Sequence, residues 1–216
     1  MLYYKKTRNK INPTLSYYEE NASNLSKRYE SADVATIHQT LIKTFSPHSK
    51  LLEIGCGSGR DASFMQEQCY NLTAIDGSQK MIEEAKTLHP ALEPHLFTMQ
   101  LPHGLDFKPY SFDGIYSIAT LMHLTQEEIY QTIKNIHTLL KEKGKFLFSV
   151  SIERDDTDQN SQDLHKRLFT SLSEEEWLTL CIKQGFKPLH TEVTNDGLEV
   201  RLFGLLVWWR SSGVYL

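Results

Sequence analysis

At 216 residues, with 40% apolar and 23% charged side chains, the chain has the length of one α/β domain and enough apolar content to bury a core without disulfide or metal staples. Lys plus Arg is 23 against 27 for Asp plus Glu, and the net charge of −4 argues against a dedicated nucleic-acid binder with its large basic surface. Cys56, Cys69 and Cys181 are odd in number and widely spaced, which argues against a disulfide framework and for a reducing, cytoplasmic setting; no apolar run reaches the length of a membrane span.

Residues 1–12 carry Lys5, Lys6, Arg8 and Lys10 and read as a flexible basic arm without the apolar stretch of a secretory signal. From Pro13 the pattern turns helical, with Leu15, Tyr18, Ala22, Leu25 and Tyr29 on one face. Asp33 can cap a second helix carrying Val34, Ile37, Leu41 and Phe45. Strands and helices then alternate: a strand over Lys50–Ile54, a helix over Ala62–Cys69, a strand over Asn71–Ile75, and a helix capped by Ser78 with Met81, Ile82, Ala85 and Leu88 inward. A weak strand over Pro94–Met99 and a stronger one over Phe112–Ile118 follow. Thr125 with Glu128 forms a capping box for a helix that Gly144 ends, and Lys145–Val150 is a strand. Residues 153–163 are acidic and read as a mobile loop on the acceptor side of any cleft. Ser173 with Glu176 opens a last helix, and Phe186–Thr194, the turn Asn195-Asp196-Gly197 and Leu198–Trp209 read as a hairpin.

The fold class this predicts is α/β: a Rossmann-like doubly wound, mostly parallel seven-stranded sheet with an antiparallel C-terminal hairpin and N-terminal helices. One domain over residues 13–216 is expected, with lid helices over 13–46, a core over 50–150, an acceptor-side loop over 151–170 and the last helix and hairpin over 171–210.

The chemistry concentrates in Glu53-Ile54-Gly55-Cys56-Gly57-Ser58-Gly59-Arg60-Asp61, a glycine turn between strand and helix. Glycine admits positive φ and lets backbone approach a ligand, and the helix start adds free N–H groups. Asp76, 21 residues after Gly55, ends the next strand and can accept both hydroxyls of a ribose. A dinucleotide pattern, G-x-G-x-x-G, would need glycine where this chain has Arg60, which disfavours a nicotinamide oxidoreductase. The glycine turn resembles motif I of the class I S-adenosylmethionine-dependent methyltransferases. The resemblance continues through Asp76-Gly77-Ser78-Gln79-Lys80-Met81, Ser111-Phe112-Asp113, Leu121-Met122-His123-Leu124 and Leu139-Leu140-Lys141 with Gly144. Tyr17-Tyr18-Glu19-Glu20-Asn21-Ala22 and Arg167-Leu168-Phe169-Thr170 extend it to the small bacterial type 11, 12 and 25 groups.

The resemblance implies S-adenosyl-L-methionine as cofactor, with S-adenosyl-L-homocysteine as product, and a small-molecule acceptor. It implies that backbone at Gly55, Cys56 and Gly57 faces the methionine moiety, Asp76 the ribose, and Gly77 and Met81 the adenine, with Met99 and Gln100 on the adenine's other side and Ile118 and Ala119 as the floor. Gln100 stands where many relatives have an acid. Glu53 either holds the loop or contacts cofactor, Arg60 either serves the helix start or the pocket, and Tyr18 and Arg28 can close over the site. His123 is the candidate general base or an orienting group. Cys56 reads as a small loop residue, since no base is placed to activate it. No His-x-x-x-His or Cys-x-x-Cys pair suggests a metal. The alternative reading is a non-catalytic cofactor-binding regulatory partner; a monomer or homodimer, no membrane and no nucleic acid are expected.

Overall fold

The computed structural model describes residues 12–195 and 199–208. Two helices come first, α1 (Pro13–Glu30) and α2 (Ala35–Thr44), followed by β1 (Lys50–Ile54), α3 (Arg60–Glu67), β2 (Asn71–Asp76), α4 (Gln79–Leu88) and β3 (Leu96–Thr98). The second half holds β4 (Phe112–Ile118), α5 (Gln126–Leu139), β5 (Leu140–Arg154), α6 (Glu174–Lys183), β6 (Phe186–Asn195) and β7 (Glu199–Trp208). Among the described residues no helix is long and apolar enough to cross a membrane.

The seven strands form one sheet in the order β3-β2-β1-β4-β5-β7-β6. The first five run parallel, and β7 pairs antiparallel with both β5 and β6. Successive crossovers wind in opposite directions from β1, so the strand order reverses between β1 and β4. Two apolar layers sandwich the sheet. On one face Ile54, Ile115, Phe146 and Phe148 pack with Ile133 and Ile136 of α5 and Trp177 of α6. On the other Leu51, Tyr116 and Leu147 pack with Leu41 of α2, Ala62 of α3 and Ile82 of α4. Both expected capping boxes are closed, Thr125 with Glu128 and Ser173 with Glu176.

Several boundaries differ from the sequence reading, each for a physical reason. The third strand begins at Leu96, because Pro90–His95 forms a 3-10 turn and Pro94 has no N–H for the ladder. Leu88, expected inward, is exposed in the last turn of α4. β5 continues to Arg154, since Glu153 and Arg154 find partners in Val200 and Glu199 of β7. The segment after β5 therefore starts later than position 151. It also holds itself together: Asp158 accepts from the N–H of Asn160 and Gln162, and Asp163 from those of His165 and Arg167. Residues 1–11 and the turn at 196–198 lie outside the described residues.

Candidate active site

A cavity of about 460 Å³ opens at the carboxyl ends of β1, β2 and β4, under the connection between α1 and α2. Its first wall is the turn after β1. Gly55 has φ +78°, and a Cβ there would lie 2.1 Å from Thr120 Oγ1, so the turn can seat against the segment after β4 only as glycine. Gly57 has φ +55°, and a Cβ there would meet the Tyr29 ring at 3.5 Å, an ordinary contact. The N–H groups of Gly55 and Cys56 both donate to Ile75 O, at 2.8 and 2.9 Å.

Asp76 faces that turn from the end of β2. Its Oδ2 accepts from Gly57 N at 3.0 Å and its Oδ1 from Ser78 N at 2.8 Å. A carboxylate has about four acceptor positions, so each oxygen keeps one for a ligand. Burial pushes the Asp76 carboxyl up, against the lowering effect of those backbone bonds. Gly77, Met99 and Gln100 continue the wall toward β3.

Beneath the glycine turn lies a charged layer. Glu53 is 2% exposed and accepts from Tyr116 Oη at 3.0 Å. Burial and the neighbouring Asp61 charge push it well above the usual carboxylate range. Burial acts upward on Asp61 too, but its bonds to His38 and Arg60 outweigh that and hold it low. Arg60 grips Asp61 with Nε and Nη2, at 2.8 and 3.1 Å, and donates through Nη1 to Tyr29 O at 2.6 Å. The Arg60–Asp61–His38 group thus ties α3 to both α1 and α2. Burial and the Asp76 and Glu53 charges push the Cys56 thiol up, so it stays protonated and is no nucleophile.

The opposite wall begins at Ile118 and Ala119. Ala119 has φ +52°, a strained conformation for a non-glycine residue, pinned by its N–H to Ser149 O at 2.9 Å. His123 follows on a 3-10 turn. Leu168 O can only accept, so at 2.7 Å it fixes the proton on His123 Nδ1; Nε2 then accepts from Tyr18 Oη at 3.1 Å. Burial lowers His123 to about 4, so it is neutral at pH 7. Leu168 N in turn donates to Thr14 Oγ1 at 2.8 Å, which closes a circuit from α1 through Tyr18, His123 and Leu168 back to α1.

Two of the anticipated residues are not brought to the cavity. Arg28 is exposed on α1, with its guanidinium over the Tyr29 ring, and it is Tyr29 that reaches the cavity. Met81 is fully buried behind Gly57, its Cε 3.7 Å from where a Gly57 Cβ would lie. Val34 just before α2, Ile37 of α2, Thr120, and Arg201 of β7 line the cavity without having been singled out in the sequence as site residues. Thr120 had a signal in the closeness that Gly55 demands; Arg201, within an apolar strand, had none.

The reversal of strand order, the glycine turn and the acid at the end of β2 define a Rossmann-like fold of the nucleoside-cofactor kind. Residues 52–148 match the family model described as a methyltransferase domain. A mouse 18S rRNA (guanine-N(7))-methyltransferase is 37% identical over 76 residues, covering 35% of this chain and 26% of that protein. The O-methyltransferase resE of Aspergillus sclerotiorum is 28% identical over 137 residues, covering 59% of this chain and 48% of that one. The chain thus spans about half or less of the length of these curated relatives. Among solved structures, the Burkholderia thailandensis 1,6-didemethyltoxoflavin-N1-methyltransferase, with bound 1,6-didemethyltoxoflavin and S-adenosylhomocysteine, superposes with TM-score 0.74 at 20% identity, covering 92% of this chain and 88% of that one. Over residues 52–148 the chain is thus similar to methyltransferase domains, and its fold is that of solved S-adenosylmethionine-dependent methyltransferases. Its residues fit that cofactor: the backbone of Gly55, Cys56 and Gly57 lines the cavity, and Asp76 beside it keeps an acceptor position on each oxygen.

Proposed function

We propose that this chain transfers a methyl group from S-adenosylmethionine to a nucleophilic atom of a small molecule. The observation that carries the reading is Asp76, which braces the glycine turn through Gly57 N while keeping an acceptor position on each oxygen. In this reading Asp76 takes the ribose hydroxyls, Gly77, Met99 and Gln100 border the adenine, and backbone at Gly55, Cys56 and Gly57 borders the methionine moiety. Glu53 and Arg60 act from below, shaping the turn and tying it to the lid helices. The bound cofactor supplies an electrophilic methyl on a sulfonium, and a neutral thioether leaves.

The protein's task is then to align the acceptor and exclude water. Ile118 and Ala119 would form the floor under the acceptor. His123 is neutral and its Nε2 already accepts from Tyr18 Oη, which supports an orienting role: it fixes the tyrosine hydroxyl so that its lone pairs can accept an acceptor's N–H or O–H. The α1 and α2 helices and the segment around Leu168 would cover the site. The cavity would seat the cofactor and, beside it, the reacting part of a small acceptor. The three cysteines are free, in keeping with a cytoplasmic setting.

Calorimetry with S-adenosylhomocysteine tests the cofactor site, and a metabolite extract with methyl-labelled S-adenosylmethionine tests transfer. Micromolar binding with a labelled product is expected. Absence of binding by the folded protein refutes the reading.

A further inference from the structure

We propose that Arg167 is a positioning residue for the transfer: it clasps the segment between β5 and α6 onto α1, and so holds His123 in the tautomer that orients the Tyr18 hydroxyl. This rests on the methyl-transfer reading above and adds to it a residue that stands behind the cavity wall rather than in it.

The need for a clasp comes from the segment itself. Residues 155–173 form neither helix nor strand, and a single bridge, Gln162 to Leu168, pairs within them. Yet residues 167–170 all bear on α1 or on the turn that carries His123. Leu168 N donates to Thr14 Oγ1 of α1, and Leu168 O accepts from His123 Nδ1. The Phe169 ring meets the His123 ring at 4.6 Å. Thr170 donates through N to Met122 O at 2.8 Å and through Oγ1 to Leu124 O at 2.6 Å.

Arg167 is where this stretch is made rigid. Its Nε and Nη2 both donate to Asp163 Oδ2, at 2.8 and 2.6 Å, while Asp163 Oδ1 accepts from the N–H groups of His165 and Arg167, each at 2.9 Å. This is no solvated surface pair: the Arg167 side chain is 15% exposed and that of Asp163 4%. Burial acts upward on Asp163, but the hydrogen bonds and charge of Arg167 outweigh it and hold the carboxyl low. The same guanidinium faces α1. It lies over the Tyr17 ring at 4.9 Å, and that ring stacks on His165 at 4.8 Å. It packs against the Phe169 ring at 5.1 Å. It also acts on the Tyr18 hydroxyl: burial pushes Tyr18 up, Tyr29 adds to that, and the charge and hydrogen bond of Arg167 oppose both. One fully paired cation thus bears on Tyr17, Tyr18 and Phe169 while bracing the turn that leads into Leu168. An ammonium could supply the charge there but not the planar fork.

The consequence for the cavity runs through one proton. Leu168 O only accepts, so its position decides which imidazole nitrogen is protonated. With Leu168 O displaced, the proton is free to move to Nε2, where it points at Tyr18 Oη. The tyrosine would then accept from His123 and turn its own hydrogen toward the cavity in place of a lone pair. Arg167 thereby sets the hydrogen-bonding polarity that the wall presents to a methyl acceptor, without touching that molecule.

The test is ¹⁵N NMR of the imidazoles in the full chain, with His123 assigned by the signals that His123→Gln removes. Wild type should show a protonated Nδ1 and an unprotonated Nε2 as two well-separated signals. In Arg167→Gln they should draw together, as in an imidazole that shares its proton between both nitrogens, and Arg167→Lys should lie between. Arg167→Gln combined with Asp163→Asn removes both charges, so no buried carboxylate is left unpaired, and should give the same change in a chain that still folds. In parallel, methyl-labelled S-adenosylmethionine with a saturating small-molecule cell extract should yield about tenfold less labelled product, or lower still, in Arg167→Gln and the double variant. Affinity for S-adenosylhomocysteine should stay as in wild type. His123 signals that do not differ between wild type and the variants, or product formed at the wild-type rate despite altered signals, overturn the inference and leave methyl transfer standing. No labelled product from wild type with any extract overturns methyl transfer, and the inference with it.

Discussion

Asp76→Asn separates the two tasks the structure gives one carboxylate. Asn keeps a single acceptor oxygen, so only one of the N–H donors of Gly57 and Ser78 can remain satisfied. Leaving the other facing an amide N–H₂ costs about 1–3 kcal/mol of folded-state stability. The variant also loses the charge and one of the two positions open to a vicinal diol. A charge-assisted hydrogen bond contributes about 1.5–3 kcal/mol, so S-adenosylhomocysteine should bind about 10- to 150-fold more weakly. A distorted turn could weaken binding without any ribose contact, and a second ligand resolves this. Wild type should prefer S-adenosylhomocysteine to its 2′,3′-dideoxy analogue by about the same factor, whereas Asp76→Asn should bind the two almost equally. Calorimetry with both ligands on both proteins completes the cycle. If Asp76→Asn discriminates between them as strongly as wild type, the carboxylate does not meet the ribose, however much affinity has fallen.

Gly55→Ala adds a left-handed residue and a methyl 2.1 Å from Thr120 Oγ1; it should cost about 2–4 kcal/mol, and Thr120→Gly in the same chain should recover more than half in urea unfolding. His123 is held at about 4 in the fold against 6.5 when free, so the unfolded chain takes up a proton first as pH falls. Stability should therefore drop by about 3 kcal/mol between pH 6.5 and 4, with no such loss above 6.5. His123→Gln should flatten that slope; parallel slopes for variant and wild type would falsify the neutral buried imidazole. Because Asp76 is raised by burial, S-adenosylhomocysteine affinity should begin to fall on acidification above the usual carboxylate range, and a loss confined to lower pH in calorimetry would contradict that. Shortening the 155–162 segment should raise the acceptor KM and leave S-adenosylhomocysteine binding unchanged; the reverse pattern would remove this segment from the acceptor side.

What could be read in advance was chemistry that lies within a few residues along the chain. The glycine turn, the acid ending the next strand and the two capping boxes each declare themselves locally, and the structure contains them all. Choosing between neighbours on one helix was harder. Arg28 and Tyr29 are adjacent and so lie about 100° apart around α1, and only the packing of α1 against the glycine turn selects the tyrosine. The extent of β5 was hidden for a related reason: its acidic end looks like loop until β7 supplies the partners for Glu153 and Arg154. Arg201 is the extreme case. Its place in the cavity depends on pairing with Ser151, 50 residues earlier, and on which face of β7 the register turns inward. The glycine-turn end of this cavity is thus encoded locally and the β7 end by long-range pairing. On the methyl-transfer reading, substitutions in β7 or at the ends of α2 would re-shape the acceptor side without disturbing the turn that would hold the methyl donor, and one fold can serve different acceptors while its cofactor stays fixed.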